Sequence, residues 1–180
     1  MTAMQGSDPG WMLTFTKEIK DLRKPNAGLN ADRFTIAGLL QHNKDFSLFN
    51  YLVRRAKMED ILNDYSSNFT LFVPSDEYLS KLYPEWFFVS TDYMAAKDFV
   101  LAHMVNRKVT LEMLMSSEGL RLPTHHRTGR FSSFYSSYIP KLKEIILNNN
   151  AKVEEGNIMV NNGIVHVISN FIFPPDCSNN

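Results

Sequence analysis

The spacing of apolar residues divides the chain into an arm, a helical half and a strand-rich half. From Phe34 onward, Phe34, Ala37 and Leu40, then Phe46, Phe49, Leu52, Val53, Ala56 and Ile61, recur at steps of three to five. That is the period of a helix with one buried face, and it predicts two helices over about 34–64. Asp45 is suited to cap the second, and Ser66-Ser67-Asn68 ends the pattern. Phe69 to Val73 is a short apolar run halted by Pro74, which predicts a buried strand. Ser75 and Asp76 are suitable caps for a helix running through Leu82. Tyr93, Ala96, Phe99, Val100, His103 and Met104 predict a helix over about 92–105, and Thr110 with Glu112 opens a shorter one to about Met115, ended by Gly119.

Beyond Leu120 the pattern shortens. Segments at 131–138, 142–147, 151–154, 157–160 and 163–173 are broken by Ser, Asn and Gly and read as strands. Asn162-Gly163 sits between Ile158-Met159-Val160 and Ile164 to Ile168, the signal of a hairpin whose type I′ turn takes positive φ. Helices early and sheet late make the fold class α+β. Ahead of all this, residues 1–33 carry Gly6, Pro9, Gly10, Pro25 and Gly28 around one apolar cluster, Trp11, Leu13 and Phe15, spaced by two. They predict an extension that docks on a neighbouring protein through those three side chains or packs back on its own domain. Residues 176–180 form a short tail.

Composition adds limits. The chain has 180 residues, 19 Lys and Arg against 19 Asp and Glu, and 44% apolar residues, which excludes global disorder. At about 150 residues per domain there is room for one domain over 34–175 plus the arm. A net charge of zero argues against a dedicated nucleic-acid binder. The one cysteine, Cys177, permits no internal disulfide and favours a reducing compartment. Near the start only Trp11-Met12-Leu13 precedes Thr14, so no secretory signal is expected. The longest apolar runs, Trp86 to Val89 and Ile164 to Ile168, fall far short of the roughly 18 residues of a transmembrane segment.

Four separated stretches resemble the fasciclin domain family: the helical entry at 34–62, FTLFVPSDEYLSKL at 69–82, LAHMV at 101–105, and NNGIVHVISNFIFPP at 161–175. The second and fourth, in this order and spacing, are specific. The resemblance implies a β-sandwich wedge with helices packed over one edge, serving adhesion and protein contact rather than catalysis. It makes Thr70, Phe72, Pro74, His103, Asn162, Gly163, His166 and Pro174 structural residues of the motifs. Two departures stand out. Ala102 occupies the place where family members usually have a tyrosine before the histidine. Glu155-Gly156-Asn157-Ile158-Met159 matches a segment that in some adhesive members reads Glu-Pro-Asp-Ile-Met and is linked to integrin binding. With an amide for the aspartate, the carboxylate wanted by an integrin's metal is missing. Asn157 and Ile158 nonetheless remain candidate contacts.

Candidate chemistry is sparse. The chain contains no nucleophile elbow, phosphate loop, cysteine pair or zinc-binding helix motif. His125-His126 is the only adjacent histidine pair, and neighbours on an extended segment point opposite ways, against joint metal binding. His103 and His166 read as core histidines, and His103→Leu is expected to cost only one hydrogen bond. Asn68-Phe69-Thr70 matches a glycosylation acceptor, but its place directly ahead of a buried strand argues for a chance match. Between Gly119 and Lys143 the charges Arg121, Arg127, Arg130, Lys141 and Lys143 stand without an acid, interleaved with Phe131, Phe134, Tyr135 and Tyr138. Such a mixture suits a protein interface or nucleic-acid stacking, or is a solvated loop, and the neutral whole disfavours nucleic acid.

The expected function is a non-enzymatic protein-interaction module without cofactor or metal. Fasciclin-like domains also occur in large DNA viruses, where no leader is needed. The leading expectation is therefore a structural component such as a minor capsid protein, found in the virion or host cytoplasm, with capsid or assembly neighbours as partners. The alternative is an extracellular adhesion protein at the cell surface. A small-ligand or enzymatic role requires a pocket with convergent polar groups.

Overall fold

A computed structural model describes residues 34–116 and 119–175. Trp11, Leu13, Phe15, Cys177 and the tail lie outside the described residues.

Helix α1 (Ile36–His42) starts at Thr35, whose hydroxyl oxygen accepts the Gly38 N–H at 3.1 Å and donates to Asn63 Oδ1 at 2.8 Å. Its Ile36, Ala37 and Leu40 are buried. A tight turn at Lys44–Phe46 leads into α2 (Ser47–Arg55), and α3 (Glu59–Leu62) follows. Asp45, the expected cap of α2, sits inside that turn and makes no cap bond. Asp76, distant in sequence, replaces it. Its carboxylate accepts the Leu48 N–H at 2.8 Å and the Ser47 hydroxyl, satisfying the orphan donors of the helix start.

Strand β1 (Phe69–Pro74) is buried along its whole length, which is why it shows no alternation of apolar and polar residues. Helices α4 (Asp76–Leu82), α5 (Glu85–Ser90) and α6 (Tyr93–Ala102) follow. Asp92 caps α6 by accepting the Ala95 N–H at 2.8 Å. The helix stops three residues earlier than its apolar spacing predicts. At His103 the backbone turns off, its carbonyl accepts the Phe72 N–H at 3.0 Å, and the chain enters β2 (Met104–Val105) beside β1. Helix α7 (Leu111–Met115) is capped by Thr110, as expected.

The remaining strands are β3 (Gly119–Pro123), β4 (Ser133–Ile139), β5 (Glu144–Leu147), β6 (Ala151–Val160) and β7 (Gly163–Ile168). The order across the sheet is β2-β1-β7-β6-β5-β4-β3, with β1 and β7 parallel and the other neighbours antiparallel. Three sequence expectations change here. Strand β3 was not anticipated. The pieces at 151–154 and 157–160 are one strand, shifted in register twice and bulged at Asn157, whose φ is 56°. The last strand ends at Ile168, not 173, and the irregular stretch after it buries Phe171, Ile172 and Phe173.

β6 serves both halves of the sheet. Ala151 and Lys152 pair with β5, while Val153 to Val160 pair with β7. The halves close over a cluster including Phe72, Leu122, Phe134, Leu147, Ile168 and Ile172, with Phe72 and Phe134 edge to face at 5.5 Å. The opposite side of β1, through Leu71 and Val73, packs under α1, α2 and α6 residues such as Ile36, Phe49, Leu52 and Val100. This is an α+β wedge with helices over one side of a folded sheet. No helix among the described residues is long and apolar enough to cross a membrane.

Candidate functional site

The expected motif residues form a structural frame. The β6–β7 turn consists of Asn161 and Asn162, flanked by the pair Val160 and Gly163. Neither asparagine has positive φ, so the turn is not type I′. Asn162 is buried because its amide ties three segments: Oδ1 accepts the Ile36 N–H at 2.8 Å, and Nδ2 donates to Leu62 O at 2.8 Å and Asp64 O at 3.2 Å. Gly163 is required by closeness rather than by the turn. A Cβ there would collide with the Phe69 carbonyl oxygen and come within 2.9 Å of its carbon. Thr70 lies between Arg107 and Val109, donating to one carbonyl and accepting the other's N–H, both at 2.7 Å.

Both core histidines are neutral connectors. His103 Nδ1–H donates to Phe99 O at 2.6 Å, and Nε2 accepts the Ile172 N–H at 2.9 Å. Two bonds are made where one was expected. Burial lowers its pKa from 6.5 to about 4, against the opposing pull of the Phe99 carbonyl. His166 Nε2–H donates to Val109 O at 2.7 Å while Nδ1 accepts the Asn157 N–H at 3.1 Å, and burial lowers its pKa as well.

Asn157, singled out as a partner contact, faces inward through its amide. Oδ1 accepts the Leu111 N–H at 3.0 Å at the start of α7, and Nδ2 donates to both Glu112 oxygens at 3.2 Å. The neighbouring Ile158 is half-buried against the helical core. Gly156 gives this corner room, since a Cβ would fall 2.6 Å from Leu111 Cγ.

The basic and aromatic segment is divided by the sheet. Arg121 on β3 stands opposite Tyr135 on β4, its Nε donating to Ser133 Oγ at 2.9 Å, and Tyr135 is 61% exposed. Phe134 points the other way into the core. Arg127 and Arg130 lie on the connection between the two strands, where the Arg130 guanidinium sits 4.6 Å from the centre of the Phe131 ring. His125 faces Asn106 and Phe69, and its pKa is lowered by burial and then by Arg127. His126 turns the opposite way, as expected of adjacent residues, with Nε2 2.7 Å from Asp98 Oδ1 on α6 and Nδ1 3.2 Å from the Thr128 hydroxyl. Among the described residues no group of three or more His, Cys, Asp or Glu could hold a metal ion.

A cleft of about 350 Å³ opens where this connection meets α5, α6 and the end of the domain, between Phe87, Phe99, Phe131 and Phe173, with Asp98, Arg130 and Pro174 on its walls. No local pattern announces it, because four separated segments build it. The only local signal is the apolar run Trp86 to Val89, which forms α5.

Two comparisons bear on the whole. The chain is similar to a solved domain pair from the insect cell adhesion molecule fasciclin I, with a TM-score of 0.61, 22% identity, and coverage of 75% of this chain and 49% of that one. It thus spans about half the length of that protein pair, and the likeness shows the fold. The family profile described as the fasciclin domain matches residues 44–174. Helix α1, whose Ile36 and Leu40 are buried in the same core, precedes the matched range. The chain belongs to the fasciclin domain family.

Proposed function

We propose that the chain is a non-enzymatic protein-interaction module whose partner surface is the outer face of β3 and β4. One observation carries this reading. Arg121 and Tyr135 lie side by side on that face at an edge of the sheet, with Tyr135 largely exposed. Arginine and tyrosine are enriched where interfaces concentrate their energy. The buried histidines and asparagines serve the frame instead, which is consistent with contact rather than catalysis.

The finer reading is a structural component of an assembly, such as a minor capsid protein of a large DNA virus with capsid neighbours as partners, in the virion or host cytoplasm. The single cysteine of the sequence supports it. The second reading, adhesion at a cell surface, is supported by the similarity to the insect adhesion molecule. In both readings the extension at 1–33 is a docking arm through Trp11, Leu13 and Phe15.

The test compares full-length protein with Arg121→Glu and Tyr135→Ser in crosslinking and co-purification from its host. Partners captured by the native chain and lost by either variant, at unchanged thermal midpoint, support the surface. Equal capture by all three refutes it. Quantitative mass spectrometry of purified particles against host membrane and medium separates the two settings.

A further inference from the structure

We infer that the cleft between α5, α6 and the β3–β4 connection is a binding site for a small amphipathic anion with one aromatic or branched apolar body. At about 350 Å³ it lies at the low end of ligand sites. That space suits a compact aromatic body of one or two ring systems better than an extended segment of chain. Phe87, Phe99, Phe131 and Phe173 supply the walls, and two of these, Phe131 and Phe173, stand edge to face at 5.3 Å. Such rings hold a flat apolar body by stacking and edge contacts.

The polar groups decide the sign of the headgroup. Asp98 already has a partner, since His126 Nε2 lies 2.7 Å from its Oδ1. The Thr91 hydroxyl donates to Phe87 O at 2.7 Å. Arg130 makes no ion pair among the described residues, and its guanidinium carbon lies 4.6 Å from the centre of the Phe131 ring at the cleft wall. A guanidinium without a carboxylate partner offers its N–H donors, in a fixed fork, to a carboxylate, sulfonate or phosphate oxygen. An anion seated there places its apolar part among the four rings.

The probe is 8-anilinonaphthalene-1-sulfonate, titrated into the full-length chain by fluorescence and by amide chemical shifts. The expected result is saturable one-to-one binding, with shifts concentrated in α5, α6 and residues 126–131 and 171–175. Arg130→Gln, an exposed substitution, weakens it by about tenfold at unchanged thermal midpoint, the loss of one charge-assisted bond. The uncharged analogue N-phenyl-1-naphthylamine binds the native chain and Arg130→Gln alike. Ala95→Trp, which fills the cleft from α6, removes binding of both compounds. Non-saturable binding, shifts centred elsewhere, or equal affinity of the sulfonate for native and Arg130→Gln protein overturns the proposal.

Discussion

The Asn162 amide oxygen accepts the backbone N–H of Ile36 at 2.8 Å, so a turn late in the chain holds the start of the first helix. The same amide donates to Leu62 O and Asp64 O. Asn162→Ala leaves a buried donor and buried acceptors without partners, each costing about 1–3 kcal/mol. The expected loss is roughly 2–5 kcal/mol, read as a lowered denaturant midpoint. Asn162→Asp keeps the acceptor but sets a carboxylate against two carbonyl oxygens, and is expected to be comparably destabilised. A loss below about 1 kcal/mol in the alanine variant would contradict this role.

Gly163→Ala tests the parallel pairing of β1 and β7. The added methyl meets backbone rather than a yielding side chain, so the strands must separate at the Phe69–Gly163 pair. Overpacking typically costs about 1–3 kcal/mol, and this site belongs at or above the top of that range. Thermal unfolding gives the answer, and a midpoint equal to that of the native chain would be incompatible with the close approach.

Acid should destabilise the domain before most carboxylates titrate. Burial holds His103 at about 4 in the folded state against 6.5 for the free side chain. The unfolded chain therefore binds the proton first as pH falls. Stability is full above pH 6.5 and declines towards pH 4, by up to about 3 kcal/mol from this residue, with His166 adding in the same direction. His103→Gln removes its own share of the titration and should reduce the fall in urea midpoint between pH 7 and pH 4.5, leaving the part due to His166. An unchanged slope would assign the pH dependence elsewhere. His103→Leu strands Phe99 O and Ile172 N–H and is expected to cost roughly 2–5 kcal/mol, more than the single bond expected from sequence.

Restoring the aspartate seen in some adhesive relatives should harm this chain. Asn157→Asp replaces the donor to Glu112 by a second carboxylate. Glu112 itself is held below its usual range first by its own backbone N–H and next by the Asn157 amide; the variant removes the second of these and sets a like charge in its place. The expected outcome is a lower melting temperature at pH 7, recovered in the double variant with Glu112→Gln. A single variant as stable as the native chain would show that the two side chains do not interact in solution.

The elements whose cause is local are legible in the sequence. Strand β1, α4, the Thr110 cap and β7 follow from apolar runs and caps within a few residues. What is not legible there depends on partners far along the chain. Asp76 caps α2 across 28 residues, and no periodicity reports that. Strand β6 was split in two because Glu154, Glu155 and Gly156 interrupt its apolar pattern at the bulge. Strand β3 is an edge with a single buried residue, Leu122, too little for a pattern. The type I′ turn was misplaced because Asn162 is used for its side chain rather than its backbone. The bonds of Asn157 to Leu111 and Glu112 on α7 are likewise invisible in the sequence. The cleft was invisible for the same reason as the long-range cap: its walls meet only after folding.

The position of β7 has a consequence for biosynthesis. This strand follows every other described strand in the chain, yet it lies between β1 and β6 and pairs with both. Until residue 168 has left the ribosome, β1 has only the two-residue β2 beside it, and the helical layer has no completed sheet to cover. Pairing at such sequence separation is slow and comes after local structure. The sheet can therefore close only after β7 has emerged, and a chain interrupted before it exposes Leu71 and Val73 and is recognisable as incomplete to chaperones and proteases.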